Sequence, residues 1–529
     1  MTDLRRGFVI EELPDFVEPW SLRHVFDGGP MVLLENPGEP STLGRYSFLC
    51  GDPFLVFQAK RAQVRVGPPG ALQPVPGNPL DVLGELMRTY RAEPNPRSSQ
   101  LPPFLGGAAG YLGYELLYAV EPSVPDRGED DLAVPDAYLL FCTSTIAVDL
   151  MRQRTWLITQ AFAPTVERAQ QLAEEAMRSL SQRAKQPPRP SVNAQEVRQW
   201  VAERRRSRWR LDEDGVRAAG FTPCVTRTQY LESVRRAKEH ILAGDIFEIC
   251  MTQRFAAQCE GDGQRLYEVL RSVNPAPFAA YLRLPELEVM SASMERFVSL
   301  NREGWAQTRP IKGTRPRGAT PEEDARLQRE LETSIKDRAE NVMIVDLSRN
   351  DLGRVCRFGT VRAPELMAVE PHTFTFQLVS TVVGQLNPGL GPIDLIRAAF
   401  PGGSMTGAPK VEAMKIIDSL EPVKRGVYSG AIGYIDFEGA MDLNIVIRTF
   451  VKRDDALTFH VGGAIVTDSD PAEEYQETLD KAHGLITAFE MAQLLTSREQ
   501  SSKAARPTPP SAPLIGEKPA LAASPSGKE

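Results

Sequence analysis

The chain runs to 529 residues, 42% hydrophobic and 25% charged, with a formal net charge of −8 and five histidines. That length predicts one large composite domain or two, and the acidic balance argues against general nucleic-acid binding through the surface. Six scattered cysteines without a CxxC pair argue against a zinc site or disulfide framework, and no apolar run reaches signal-peptide or membrane-span length, which predicts a reduced, cytoplasmic protein with no membrane contact. In chain order, residues 8–180 read as strand-rich, with short apolar runs at 31–35 and 138–146 between Gly and Pro clusters, followed by a helix at 166–180. Residues 182–222 are rich in Arg, Pro, Gln and Ser and predict a polar linker outside the core. In it, Arg204, Arg205, Arg206, Arg208 and Arg210 around Trp209 read as a solvated stretch rather than an RNA site. Thr228 is placed as the cap of a helix whose Leu231, Val234, Ile241 and Leu242 share a face, and Gly244 stops it before a strand at 246–255. Strands at 279–290 and 297–308, helices at 321–347 and 409–420, strands at 431–437 and 442–451 and a last helix at 471–495 follow. The mixture is α/β (α+β), divided into an N-terminal region 1–181, the linker 182–222, a catalytic domain 223–498 and a disordered tail 499–529.

Lys312, in Arg309-Pro310-Ile311-Lys312-Gly313-Thr314, is the most informative residue for chemistry. A lysine amine attacks carbon once it loses its proton, and desolvation or a nearby charge governs that loss. Pro310 stiffens the approach and Gly313 leaves room beside the backbone for a ligand, although a surface lysine at a strand end is the commoner fate. In the helix at 321–347, Asp337 and Glu340 stand three apart on one face. In the last helix Asp470 caps, Pro471 fits the first turn, and Glu474, Glu477 and Lys481 form a stripe. Two oxygen-only acid pairs suit Mg²⁺, while either pair alone reads as a solvated face.

The run Phe400-Pro401-Gly402-Gly403-Ser404-Met405-Thr406-Gly407-Ala408-Pro409-Lys410 is a Gly-rich loop feeding a helix. Exposed N–H groups there, with the Ser404 and Thr406 hydroxyls, suit an anion such as a carboxylate, but the GxxxxGK[ST] spacing of a nucleotide loop is absent. His460-Val461-Gly462-Gly463-Ala464-Ile465 puts two glycines inside a strand pattern, a sign of a bulge or of close ligand approach. Arg448 has the fork to hold a carboxylate, a surface arginine being the plainer alternative, and Glu295 becomes a proton donor if burial raises its pKa, a salt bridge to Arg296 or another cation being the commoner fate.

Taken together, PIKGTRPRG, KDRAENVMIVDLSRNDLGRVC, PGGSMTGAPKVEAM, GYIDFEGAMDLNIVIRT and AEEYQETLDKAHG resemble the chorismate-utilising enzymes: anthranilate synthase component I, aminodeoxychorismate synthase component I and their isochorismate and salicylate relatives. Gly44-Arg45-Tyr46-Ser47-Phe48 and Pro103-Phe104-Leu105-Gly106-Gly107 extend the likeness into the N-terminal half. The resemblance implies an anthranilate synthase component I-like fold, two intertwined subdomains with large antiparallel sheets flanked by helices, and a Mg²⁺-dependent site for chorismate. It implies that Glu340 and Glu477 bind Mg²⁺, with Asp337 and Glu474 close by. Arg448, the Gly462, Gly463 and Ala464 backbone and Lys481 are then expected to hold substrate carboxylates. The resemblance further implies that Thr314, Gly403, Ser404, Thr406 and Tyr428 complete the substrate contacts and that Glu295 is the general acid for loss of the C4 hydroxyl.

Anthranilate synthases resemble PIAGT at the Lys312 position, whereas aminodeoxychorismate synthases resemble PIKGT and use that lysine covalently at C2 of chorismate. The resemblance is therefore nearest aminodeoxychorismate synthase component I, with anthranilate synthase component I the alternative. Isochorismate and salicylate relatives carry a water-activating lysine where this chain has Glu248. Gln377 stands where most relatives have a histidine and cannot shuttle a proton at neutral pH, which keeps a chorismate-binding regulatory subunit without turnover as the alternative of another class. Leu33-Leu34-Glu35-Asn36 resembles the LLES element of the tryptophan pocket of anthranilate synthases, with Asn36 replacing the serine. The chain has no GxCxG elbow or glutaminase triad spacing, so the resemblance implies a separate glutamine amidotransferase subunit supplying ammonia.

Overall fold

The strand Ala137–Asp149 (AYLLFCTSTIAVD) is buried along nearly its whole length and is paired on both edges. It runs antiparallel to Tyr46–Lys60 on one side, and to Gly107–Leu112 and then Arg154–Ala163 on the other. A strand covered on both faces reads as the near-continuous apolar run seen in its sequence. Each fully buried aromatic of this sheet, such as Phe57 or Phe141, contributes about 1.5–3 kcal/mol of transfer free energy. The computed structural model describes residues 4–93, 100–187, 192–207, 211–318, 320–372 and 375–504. Among them 22 strands join one hydrogen-bonded network whose ladders are antiparallel, with helices packed on its faces.

The two halves of the chain share ladders. Met31–Glu35 pairs with Tyr46–Lys60 and also with Phe278–Arg283, and Gly107–Leu112 pairs with Ala431–Asp436. Phe104 stacks on Tyr434 at 4.6 Å between ring centroids, and Phe48 meets both edge-on, so aromatic packing closes the same seam. The expected intertwining of two subdomains is therefore built into the backbone.

Several elements depart from the sequence expectation. The stretch expected as a polar linker holds the helices Ala194–Ser207 and Glu213–Ala218, and Val197, Val201, Leu211, Val216 and Phe221 are buried in the core with Phe459 and Phe489. Few apolar residues, widely spaced, suffice to seat them, which is why their periodicity is faint. The arginines 204–210 lie, for their side chains, outside the described residues. Thr226, not Thr228, caps the helix Arg227–Ala243, because Gln229 completes a reciprocal capping box with it. Leu242 points outward instead of sharing the buried face, and Gly244 closes the helix at φ 84°. The strands expected at 279–290 and 297–308 are each two strands of a hairpin. The single helix expected at 321–347 is two, Pro321–Thr333 and Ile335–Gly353, broken at Ser334, whose extended backbone and hydroxyl cap the second. The last helix extends to Ala504, past the expected start of the tail at 499, and the rest of that tail lies outside the described residues. Among the described residues no helix is long and apolar enough to cross a membrane.

The strands Glu248–Gln258 and Ala456–Ile465 pair in regular register, Thr252 facing Gly462 and Met251 facing Gly463, so the twin glycines mark no bulge. They mark close approach instead: a Cβ on Gly462 would lie 2.4 Å from the Met251 carbonyl oxygen. Gly462→Ala is expected to destabilise by about 1–3 kcal/mol, the usual cost of overpacking. Gly353→Ala, with nothing within 4 Å of the added Cβ, is expected to be neutral or stabilising by up to about 1 kcal/mol. Denaturant midpoints compare the two, and equal midpoints would contradict this account of the ladder.

Candidate active site

Lys312 enters the interior because its strand leaves the regular ladder. Ile311–Pro316 pairs with Thr375–Gln385, but the register shifts between Ile311 and Thr314, which frees Lys312 and Gly313 from ordinary pairing. Gly313 sits at φ 89°, and the space a Cβ would take there is filled by the Asp337 carboxylate at 2.9 Å, not by open room for a ligand. The Lys312 side chain is 10% exposed and its ammonium is bonded to Glu248 Oε1, on a carboxylate only 1% exposed. The surface-lysine reading of the sequence is thereby overturned. Burial alone lowers the proton affinity of an amine, but the adjacent Glu248 charge reverses this and holds Lys312 above the usual lysine range.

Lys312 lines a cavity of about 560 Å³, and most of the residues singled out in the sequence surround it. Glu295, just past the strand Glu288–Ser293, has its carboxyl pushed up to about 7 by burial, against the opposing pull of the Ser404 hydroxyl and the Lys312 charge. It is not the partner of Arg296, which pairs with Asp442 at 2.7 Å. Thr314 lies exposed at the cavity mouth opposite Gln377, whose Oε1 is buried without a hydrogen-bond partner. Tyr428 stacks on His460 at 5.2 Å, and burial drives the His460 imidazole well below its normal pKa, so a neutral ring faces the cavity.

The helix break at Ser334 starts a new helix at the cavity edge. Asp337 and Glu340 fall in its first two turns; Asp337 pairs with Arg315 at 2.9 Å, and burial raises Glu340 while the Lys312 charge pulls it back. From the start of the C-terminal helix come the other two acids. Glu474 accepts from the Ser469 hydroxyl at 2.6 Å and is raised by burial, and its Oε2 is buried without a partner, over the face of Gly463. Glu477 is also penalised by burial, yet its ion pair with Lys481 at 2.6 Å brings its pKa below the ordinary value. The exposed Lys336 ammonium, 4.0 Å from Glu340, also pulls on Glu474 and Glu477. Among the described residues no group of three or more His, Cys, Asp or Glu side chains is close enough to hold a metal ion unaided.

Two cations share the cavity wall with the acids. Arg448 occupies a left-handed turn at φ 52° that splits the strand expected at 442–451 into Met441–Asn444 and Thr449–Arg453. Its guanidinium donates to the Lys481 carbonyl, and burial lowers its pKa. Among the described residues it forms no ion pair with a carboxylate, which leaves its charge available to an anion. Lys481 donates to the Gly462 carbonyl at 2.7 Å, beside Gly463 and Ala464 on the cavity wall.

Two expected contacts are not made in this way. Thr406 is fully buried, and its hydroxyl donates to the Gly402 and Gly403 carbonyls, so it shapes the loop from behind. Gly403 faces a small adjoining void rather than the main cavity, and only Ser404 and Met405 of the Gly-rich loop reach the latter; the start of the helix Lys410–Leu420 does not. Sequence reading missed Cys250, Lys336 and His460 as wall residues: Lys336 and His460 stand inside quoted runs but are given no role there, and Cys250 is not singled out. A larger cavity, about 890 Å³, lies beside Leu34 and Glu35, where Arg296 is paired with Asp442 across the lining and Glu35 with Arg271 behind it. Asn36 is spent on its own loop, donating to the Gly44 and Glu39 carbonyls.

The chorismate binding enzyme family matches residues 52–487, well over half of the chain. This chain belongs to that family and is a chorismate-utilising enzyme. Anthranilate synthase component 1 of Geobacillus stearothermophilus is 35% identical over 499 residues, covering 92% of this chain and 94% of that protein. The aminodeoxychorismate synthase of Streptomyces pristinaespiralis is 42% identical over 392 residues, covering 73% of this chain but 51% of that longer protein. The crystal structure of anthranilate synthase component I from Streptococcus pneumoniae TIGR4 superposes with a TM-score of 0.70 at 30% identity, covering 85% of this chain and 93% of that one. These likenesses establish the anthranilate synthase component I fold here.

The Glu295 environment makes a spectroscopic prediction. Its carboxyl is protonated below about pH 7 and ionised above it, so infrared difference spectra are expected to show a carboxyl band titrating near 7 that Glu295→Gln removes. A band titrating in the ordinary carboxylate range would contradict this burial.

Proposed function

We propose that the chain is aminodeoxychorismate synthase component I, converting chorismate and ammonia into 4-amino-4-deoxychorismate through a covalent Lys312 adduct. The observation that carries this reading is a buried amine in the wall of the cavity where the acid pairs and Arg448 also converge. Lys312 adds to C2 of chorismate, the ring double bonds shift, and the C4 hydroxyl leaves as water with the proton of Glu295. Ammonia then adds at C4, the shift reverses, and the Lys312 amine is expelled from C2 with the enolpyruvyl group retained. Arg448 and Lys481 hold substrate carboxylates, Thr314, Ser404, Tyr428 and the Gly462–Ala464 backbone shape the pocket, and neutral His460 adds a fixed polar edge.

Mg²⁺ suits Glu340 and Glu477, with Asp337 and Glu474 beside them, because the donors are all oxygen and Glu474 Oε2 lacks a partner. Bound there, the ion supplies charge neutralisation for the ring carboxylate. Ammonia is assigned to a separate glutamine amidotransferase subunit, and the 4-amino-4-deoxychorismate to 4-aminobenzoate and folate synthesis. The similarity to anthranilate synthase component 1 over nearly the whole chain favours that enzyme as the second reading.

Purified chain incubated with chorismate, Mg²⁺ and ammonium is expected to give aminodeoxychorismate, identified by mass spectrometry before and after a lyase that releases 4-aminobenzoate. Lys312→Ala is expected to cut turnover on the order of 10³-fold, the scale on which a covalent nucleophile acts. Fluorescent anthranilate as main product would refute the proposal. Chorismate binding without any product would instead point to the regulatory subunit that Gln377 suggests. Across pH, turnover is expected to fall above about 7 as Glu295 loses the proton it must donate.

A further inference from the structure

Resting on the reading of Lys312 as nucleophile, we propose that Glu248 is the base that takes the proton from Lys312 before attack and returns it when the amine is expelled. A protonated ammonium has no lone pair, and the Lys312 ammonium is bonded to Glu248 in a site almost closed to solvent. Its proton therefore has one short route. Glu248 has the capacity to receive it: one carboxylate oxygen accepts from Lys312, and the other, Oε2, is buried with no hydrogen-bond partner. The backbone that carries the carboxylate is also held in place, since Glu248 pairs with Ala408, and Gly407 packs so closely that a Cβ there would lie 2.1 Å from the Glu248 carbonyl oxygen.

The proton count closes. Lys–NH₃⁺ and Glu–COO⁻ become Lys–NH₂ and Glu–COOH; the amine lone pair forms the bond to C2, and the C4–O bond breaks with the Glu295 proton leaving in water. On the return, the electrons of the C2–N bond supply the reverse shift as ammonia bonds C4, the ammonium so formed gives a proton back to the Glu295 carboxylate, and the freed amine regains its proton from Glu248. Other charged or titratable groups facing the pair are Glu340 from the helix Ile335–Gly353, Cys250 from the strand of Glu248, Glu295 from the neighbouring loop and Glu477 from the C-terminal helix. Each acts on Lys312 only through space, and none is bonded to its ammonium among the described residues.

The test is a proton inventory. In the wild type, resting and reactive pairs carry the same number of protons, so the step has no acid limb of its own. In Glu248→Gln the Lys312 proton must go to solvent, so the reactive form holds one proton fewer. The ratio of variant to wild-type turnover, taken at each pH in the same ammonium buffer so that ammonia supply and the Glu295 limb cancel, is then expected to climb about tenfold per pH unit before a plateau. Amine expulsion without its proton donor is expected to make the covalent adduct accumulate in the variant. Glu248→Asp, which keeps a carboxylate, is expected to retain the wild-type pH shape at reduced rate, and chorismate affinity measured by calorimetry certifies folding of both. A ratio independent of pH in Glu248→Gln, or an acid limb in Glu248→Asp equal to that of Glu248→Gln, overturns the assignment of Glu248. Full activity of Lys312→Ala would instead bring down the reading on which it rests.

Discussion

A single buried ion pair, Lys312 with Glu248, organises this molecule. Placing two charges where solvent barely reaches is costly, and removing one partner of such a pair typically costs about 3–5 kcal/mol because the other is left uncompensated. The strand carrying Lys312 gives up regular pairing to place it there, and the strand carrying Glu248 is clamped between Ala408 and the glycine-bearing strand Ala456–Ile465. The charge then propagates. Burial raises Glu295 and Glu340, the Lys312 charge is among the influences that pull them back, and it adds to the stronger pull of Lys481 on Glu477.

Around that point the cavity is lined by charge. Acids from the starts of two helices line it together with Arg448 and with Lys481, which is paired to Glu477, and a neutral His460 and Tyr428 complete the wall. A dicarboxylate with a leaving hydroxyl suits such a layout: cations for its carboxylates, a half-protonated acid for its oxygen, and a nucleophile for its ring. The left-handed backbone at Arg448 is local strain at a cavity wall, a placement that recurs at functional sites.

Much of this was legible in the chain and some was not. The acid pairs and the Gly462–Gly463 wall could be read because helical and strand spacing fixes which residues share a face, and Lys312 because its run matches a family motif. The pairing with Glu248 could not, since the two residues are 64 apart and meet only through tertiary structure. Ser334 and Arg448 broke elements that periodicity joined, because a capping hydroxyl and a left-handed turn leave apolar spacing intact on either side. Helices at 194–218 were hidden by an arginine-rich composition that masks a few well-placed valines and a leucine. Thr406 looked like a ligand because hydroxyls in Gly-rich loops serve either backbone or substrate, and only the fold decides which.

The central claim is that the Lys312 amine bonds to the substrate ring. Its most direct test is peptide mapping by mass spectrometry of enzyme mixed with chorismate and Mg²⁺ without ammonia and quenched in acid. The account predicts the mass of chorismate less one water on the peptide carrying Lys312, absent from Lys312→Ala. An unmodified Lys312 peptide from enzyme that turns over fully once ammonium is added would contradict it.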